Sequence, residues 1–194
     1  MFWDNVAWAY DIFADGINRK ANRALRAVVA ESIRPGETVL ECACGTGLLS
    51  GAITERCGSL VATDLSEKML RRAERKCARY GNVRFERGYI LRIAFPDESF
   101  DAVVSNYVYH NVMGADKQAL LLETLRVLKK GGVFAINDNM KPRAYGDMEA
   151  FAQELRDMGY EDVRLIDTAQ EAFGSRRRAA MMMLGSSGML VGRK

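Results

Sequence analysis

A glycine-rich turn between two apolar runs constrains the fold of this sequence most. Residues 39–43 form the first run, Gly45 and Gly47 lie in the turn that follows, and Asp64 closes the second run. Glycine adopts positive φ without steric cost, so this turn can pass close to a ligand. The pattern predicts a buried strand, a helix whose unpaired N–H groups face that ligand, and a second strand that ends in a carboxylate. Because such a carboxylate can accept both hydroxyls of a ribose, we expect a nucleoside-bearing cofactor here.

The residues of the turn distinguish between two classes of cofactor. A dinucleotide-binding turn reads G-x-G-x-x-G/A, whereas this one runs from Gly45 to Ser50 and ends in serine. Glu41 lies four residues before Gly45. A carboxylate attracts an ammonium group and repels a pyrophosphate at short range. We therefore expect a cofactor that carries an ammonium group, with an NAD-dependent oxidoreductase as an alternative.

Four ordered segments resemble the class I S-adenosylmethionine (SAM) methyltransferases. They are residues 41–47, 64–70, 95–101 and 125–132, and together they cover roughly residues 36–138. Within that family the chain resembles the ubiquinone/menaquinone C-methyltransferases and, near them, the phospholipid N-methyltransferases (methyltransferase type 11), because Val-Ala-x-x-Tyr-Asp at 6–11 and Asn-Val at 111–112 are similar to their motifs. The resemblance implies methyl transfer from SAM to a small molecule or a lipid headgroup, with S-adenosylhomocysteine (SAH) as product. A SAM-binding protein without catalysis stays open as a second alternative.

The same resemblance implies roles for individual residues. Glu41 and the Ala43 backbone would hold the methionine end of SAM, Gly45 and Gly47 would form the close turn, and Asp64 would bind the ribose. Tyr10 would close over the cofactor carboxylate and Leu65 would pack on adenine. The remaining implied cofactor contacts are Met69, Tyr89, Ile90, Ser105 and Asn106.

Two features depart from the family pattern. The family usually has Asp or Asn where this chain has Tyr89, so either the tyrosine contacts adenine or backbone and apolar packing hold it. After Pro142 the quinone enzymes have a long insertion, whereas this chain continues directly into a helical pattern over 145–158. We therefore expect a small or open acceptor pocket, and the assignment to a prenylated quinone does not carry over.

His110 is the one histidine of the sequence and the leading candidate for a catalytic base. Histidine titrates near neutrality, and a base is needed only if the acceptor must lose a proton. The alternative is a hydrogen-bonding residue in the wall of the acceptor pocket. The candidate substrate-binding residues are Trp3, Tyr109, His110, Asn139 and Arg143.

Strand and helix patterns alternate along the chain, which predicts a single α/β domain with a Rossmann-like, doubly wound, seven-stranded sheet. The family resemblance adds that strand 7 is antiparallel. We expect an N-terminal helical arm over residues 1–34, a cofactor-binding core over 35–138 and a substrate-side half over 139–194. Strands are predicted near 37–43, 59–63, 83–86, 100–105, 133–136, 163–166 and 189–191, and helices near 3–14, 17–32, 47–57, from 66, 115–129 and 148–158.

Composition excludes several other classes of protein. A net charge of +3 is too small to indicate a nucleic-acid partner, and no apolar run approaches the ~18 residues of a membrane span. The four cysteines lack the spacing of a zinc site, so neither a metal nor a disulfide scaffold is expected. With no signal-peptide pattern at its start, the chain is expected to be cytoplasmic, as a monomer or homodimer.

Overall fold

The computed structural model describes residues 19–181 and 184–194. The predicted helix at 3–14 and the candidate residues Trp3 and Tyr10 lie outside these ranges. Within them, no helix is both long enough and apolar enough to cross a membrane.

Seven strands form one mixed sheet in the described part of the chain, in the order β3-β2-β1-β4-β5-β7-β6. The strands from β1 to β5 pair in parallel, and β7 runs antiparallel to both β5 and β6. The prediction of a doubly wound α/β sheet with an antiparallel strand 7 is confirmed. The strand bounds are β1 Thr38–Cys42, β2 Ser59–Asp64, β3 Val83–Arg87, β4 Phe100–Asn106, β5 Leu128–Asn139, β6 Glu161–Ile166 and β7 Ser187–Arg193.

The helices begin where the sequence offers side chains that accept hydrogen bonds from free backbone N–H groups. Ser66, where the sequence predicts the start of a helix, caps α3 by accepting from the Met69 N–H. Asp116, Asp147 and Asp167 cap α4, α6 and α7 in the same way. The helix bounds are α1 Arg19–Glu31, α2 Ser50–Thr54, α3 Glu67–Cys77, α4 Lys117–Arg126, α5 Pro142–Tyr145, α6 Met148–Asp157, α7 Thr168–Phe173 and α8 Arg176–Met181, with a 3₁₀ helix at Tyr109–Asn111.

Two elements differ in length from the sequence prediction. The helix expected over 47–57 spans only the five residues of α2. It does not begin at Gly47 because the φ of this residue is +78°, which no right-handed helix accommodates. Strand β5 begins at Leu128 instead of 133, because Leu128 already pairs with Phe100 of β4. The register then shifts, so that the next pair is Ala102 with Val133. Helix α4 therefore ends at Arg126.

The sheet is covered on both faces, which explains its apolar central strands. Side chains alternate along β4: Val103 belongs to the apolar cluster that includes residues of α4 and α6, whereas Ala102 and Val104 belong to the cluster that includes residues of α1, α2 and α3. Strand order reverses between β1 and β4, because the chain runs from β1 outward to β3 and then returns to the other side of β1. Ligands of such sheets bind beyond the carboxyl ends of the strands at this reversal.

Candidate functional site

A cavity of about 460 Å³ lies at the carboxyl ends of β1, β2, β3 and β4. Four segments surround it: the turn after β1, the two residues at the end of β2, the loop after β3 and the loop after β4. Its lining includes Glu41, Ala43, Gly45, Asp64, Leu65, Met69, Tyr89, Ile90 and Asn106, all of which were candidate cofactor contacts. The strand reversal therefore brings together residues that lie up to 65 positions apart in the sequence.

The turn after β1 is held in a conformation that few residues adopt. Ala43 and Gly45 have positive φ values of 53° and 55°. A left-handed alanine is uncommon and costs free energy, and such residues concentrate at functional sites. At Gly47 there is no space for a side chain, because a Cβ would lie 2.9 Å from both the Cα and the Cβ of Ala73. Gly47 lets the turn pack on α3 and does not line the cavity.

Asp64 ties the two halves of the cavity floor together. Its Oδ2 accepts a hydrogen bond from the Gly45 N–H at 2.9 Å, and its Oδ1 accepts from the Ser66 N–H at 2.8 Å. Each oxygen of a carboxylate can accept about two hydrogen bonds, so contacts with the backbone are compatible with contacts to ligand hydroxyls. The carboxylate is fixed by the backbone and also borders the cavity.

Glu41 is a buried acid at the bottom of the same cavity. Only 2% of it is exposed, and its Oε2 accepts a hydrogen bond from the Ser50 hydroxyl at 2.5 Å. Burial raises the pKa of Glu41 from 4.5 to about 7, and the charge of Asp64 adds to the rise while Ser50 opposes it. A ligand cation beside Glu41 would favour the carboxylate, so this residue is suited to bind an ammonium group.

The loop after β3 forms one wall of the cavity, and hydrogen bonds from Arg126 of α4 hold it in place. Arg126 donates to the carbonyl oxygen of Ile93 at 2.9 Å and to that of Phe95 at 3.0 Å. Gly88 lies against β2, because a Cβ there would fall 2.8 Å from Cβ of Thr63. Tyr89 follows it at the rim of the cavity with 49% of its surface exposed.

The end of β4 contributes a second left-handed residue. Tyr107 has a φ of +57° and lines the cavity, its N–H donates to the Asn137 carbonyl at 2.8 Å, and its hydroxyl donates to Ser187 at 3.1 Å. Ser105, a candidate cofactor contact, instead donates its hydroxyl to the Cys42 carbonyl at 3.1 Å and is fully buried. Ser105 therefore ties β4 to β1 beneath the cavity.

The candidate substrate residues within the described ranges do not line the cavity. Tyr109 is fully buried and its hydroxyl lies 2.9 Å from the Thr124 hydroxyl oxygen, which makes it part of the core. Asn139 is buried at the end of β5, and Arg143 is exposed on α5. His110 lies beside the cavity, between the lining residues Val108 and Asn111, and its ring is paired with Asp138.

Sequence reasoning missed part of the lining. It did not single out Val112 and Met113 in the loop after β4, nor Thr46 and Leu48 in the turn after β1. The rule that ligands bind beyond the carboxyl ends of parallel strands could have found these loops, since it applies to every residue that follows such a strand. No pattern in the sequence near Asp138 or His110 predicts that these two side chains are paired.

The cysteines at the site are buried thiols. Burial raises the pKa of Cys42 to about 12 and that of Cys44 well above its ordinary value. Both are buried, as are Cys57 and Cys77. Among the residues that the structure describes, no three His, Cys, Asp or Glu side chains are grouped so that they could hold a metal ion.

Comparison with known proteins identifies relatives by sequence. The family described as methyltransferase domain matches residues 40–136, half of the chain. A curated relative is the ubiquinone/menaquinone biosynthesis C-methyltransferase UbiE of Hydrogenovibrio crunogenus, which is 36% identical over 140 residues. That match covers 67% of this chain and 54% of the relative, so the chain spans about half the length of the curated protein it matches.

Comparison with solved structures finds further proteins with a similar fold. A chain from the complex between the Haloferax volcanii Trm112 methyltransferase activator and a methyltransferase has a TM-score of 0.73 and 20% identity, over 98% of this chain and 96% of that one. The [4+2]-cyclase SpnF has a TM-score of 0.64 and 18% identity, over 99% of this chain and 96% of that one. At these identities the likeness concerns the fold alone.

Proposed function

Since the chain belongs to the methyltransferase domain family, we propose that it is a SAM-dependent methyltransferase that acts on a small molecule or a lipid headgroup. One observation supports this most: Glu41 and Asp64, a buried acid and a backbone-fixed carboxylate, border one cavity at the strand reversal. The proposal keeps the division into a helical arm (1–34), a cofactor core (35–138) and a substrate-side half (139–194).

The residues of the cavity fit SAM chemically. Glu41 is suited to the ammonium of the methionine moiety, and Asp64 to the two ribose hydroxyls. Leu65, Met69 and Ile90 offer apolar surface to adenine. The cavity volume of about 460 Å³ lies in the range of ~300–1,000 Å³ that is usual for small-molecule sites.

Bound SAM supplies an electrophilic methyl group on a sulfonium, so the protein mainly has to align an acceptor with that methyl. The left-handed residues Ala43 and Tyr107 fix the backbone on two sides of the cavity. Among the proposed substrate-side residues, Tyr109 and His110 lie between the lining residues Val108 and Asn111, and of these two only His110 is not fully buried. We expect the acceptor at this end of the cavity, next to the loop after β4.

The test is a screen of pooled acceptors with SAM, in which SAH formation is measured. Phosphoethanolamine, amino acids, phenols and phospholipid vesicles represent the nitrogen, oxygen and lipid-headgroup classes. We expect one pool to raise SAH formation above the rate without acceptor, and Glu41→Gln to abolish the rise. Glu74→Gln is the matched control, because Glu74 is exposed on α3 and away from the cavity lining.

A second candidate is a SAM-binding protein that does not transfer methyl groups. Two observations favour it: Tyr89 stands where the family usually has Asp or Asn, and a chain named as a cyclase shares the fold over nearly its full length. SAH binding without SAH formation in any pool would favour this candidate over the first.

A further inference from the structure

Asp138, near the end of β5, is a fully buried carboxylate that no sequence pattern singled out. Its Oδ2 accepts hydrogen bonds from the N–H groups of Val108 and His110, both at 3.1 Å, and its Oδ1 accepts from the Asn139 N–H at 2.6 Å. Three backbone N–H donors from two neighbouring chain segments therefore fix the position of this carboxylate.

The imidazole of His110 is a further partner of this carboxylate. Its Nδ1 is hydrogen-bonded to Oδ1 of Asp138. An ionised carboxylate can only accept, so Nδ1 must carry the hydrogen. A neutral imidazole has one N–H, and Nε2 is then left with a lone pair that can accept a proton.

The other ring nitrogen has access to solvent and lies near the cavity. One third (33%) of the His110 side chain is exposed, whereas the Asp138 side chain is not exposed at all. Among the described residues, Nε2 of His110 has no hydrogen-bond partner. The ring meets that of Tyr107, a lining residue, edge to face, with centroids 6.4 Å apart.

The neighbouring phenols are poorer proton acceptors than this imidazole. Tyr145 is buried near Asp138, and burial followed by the charge of Asp138 raises its pKa. Tyr109 is also buried, and burial raises its pKa well above the ordinary value. Both phenols keep their protons near neutral pH, so neither can take a proton from an acceptor.

We propose that Asp138 is a positioning residue that fixes His110 as the Nδ1–H tautomer, so that Nε2 serves as the proton acceptor beside the cavity. The role in catalysis rests on the proposed methyltransferase function. As an O–H or N–H acceptor forms its bond to the methyl carbon, the S–CH₃ bond breaks and its electron pair stays on sulfur. The acceptor proton passes to Nε2, and the charge of Asp138 balances the imidazolium that forms.

The tautomer can be observed directly, because His110 is the one histidine of the sequence. In protein labelled with ¹⁵N-histidine, the two-bond ¹⁵N–¹H correlations of the ring distinguish the Nδ1–H from the Nε2–H form. At about pH 8.5 we expect the parent to show the Nδ1–H form alone. A parent spectrum of the Nε2–H form, or of a rapidly exchanging mixture, would overturn the proposal.

Asp138→Asn tests the role of the carboxylate, with Asp147→Asn as the matched control at the N-cap of α6. We expect the first variant to lose the single tautomer and the control to keep it. Since Asp138→Asn replaces one of the two oxygens that accept from three backbone N–H groups, its fold is checked by circular dichroism. If Asp138→Asn does not fold, the spectrum of the parent still identifies the tautomer, and the kinetic test uses His110→Gln instead.

Kinetics with the acceptor found in the screen tests the catalytic half. General bases contribute typically ~10²–10⁴-fold, so His110→Gln should lower kcat about 100-fold or more with little change in the KM for SAM. A kcat equal to that of the parent would overturn the catalytic role. Failure of the proposed function gives a different result: the parent shows the Nδ1–H tautomer but does not bind SAH.

Discussion

Replacing Glu41 by glutamine should stabilise the unliganded protein while it weakens cofactor binding. The pKa of Glu41 is raised from 4.5 to about 7 because the carboxylate is buried. When folding raises the pKa of an acid, the protonated acid contributes to the free energy of unfolding. This contribution is fully present below pH 4.5 and is lost as pH rises through about 7. At ~1.4 kcal/mol per pKa unit the loss is about 3 kcal/mol above pH 7.5. Glutamine has the shape of glutamate without the charge, so the variant avoids this loss.

The assay is chemical unfolding of parent and Glu41→Gln at several pH values between 5 and 8.5. The difference in unfolding free energy should grow by about 2–3 kcal/mol over this range, in favour of the variant. Any constant offset from the new amide, such as a changed hydrogen bond to Ser50, cancels in this comparison across pH. Glu74→Gln, the exposed control, should show a difference that stays flat.

Two results would refute this reasoning about Glu41. A difference that does not change with pH would mean that the acid is as well solvated in the folded protein as in the unfolded chain. A difference that falls with pH would mean that the fold favours the ionised carboxylate. In either case Glu41 would not be the buried acid that a ligand cation ionises.

Substitutions of Asp64, Tyr89 and Gly47 test the geometry of the cavity and of the turn beside it. Asp64→Ala should weaken SAH binding tenfold or more, since hydrogen bonds to a charged group are worth about 1.5–3 kcal/mol each, and should also lower the melting temperature because Gly45 loses its acceptor. Tyr89→Ala should weaken binding modestly and Tyr89→Asp should keep or improve it; titrations that show the reverse order would remove this residue from the adenine site. Gly47→Ala should destabilise the fold by about 1–3 kcal/mol in thermal unfolding, more than Gly45→Ala, because its new Cβ would meet Ala73 at 2.9 Å.

The part of the site predicted from sequence is the part built from short, local patterns. The run before Gly45, the turn itself and Asp64 lie within 26 residues, and each has one plausible strand or turn assignment. The structure places Glu41 and Asp64 at one cavity, as the rule for parallel sheets requires. Their role in binding stays a prediction until a ligand is titrated.

Contacts between distant segments could not be predicted in this way. Asp138 and His110 are 28 residues apart and meet only because β5 lies next to β4. Gly47 was interpreted as a residue of close ligand approach, whereas its missing side chain makes room for α3. Such contacts depend on how helices and strands pack, which the residue types of one segment do not specify.

Calorimetric titration of SAH into the parent tests the central claim, that the cavity at the strand reversal binds SAM through Glu41 and Asp64. We predict saturable binding of one SAH per chain and none of NADH. Because ligand binding requires Glu41 to be ionised, affinity should rise about fivefold from pH 6 to pH 7 in the parent and stay level in Glu41→Gln. Saturable binding of NADH with none of SAH, or SAH affinity that is equal in parent and Glu41→Gln at every pH, would contradict the account.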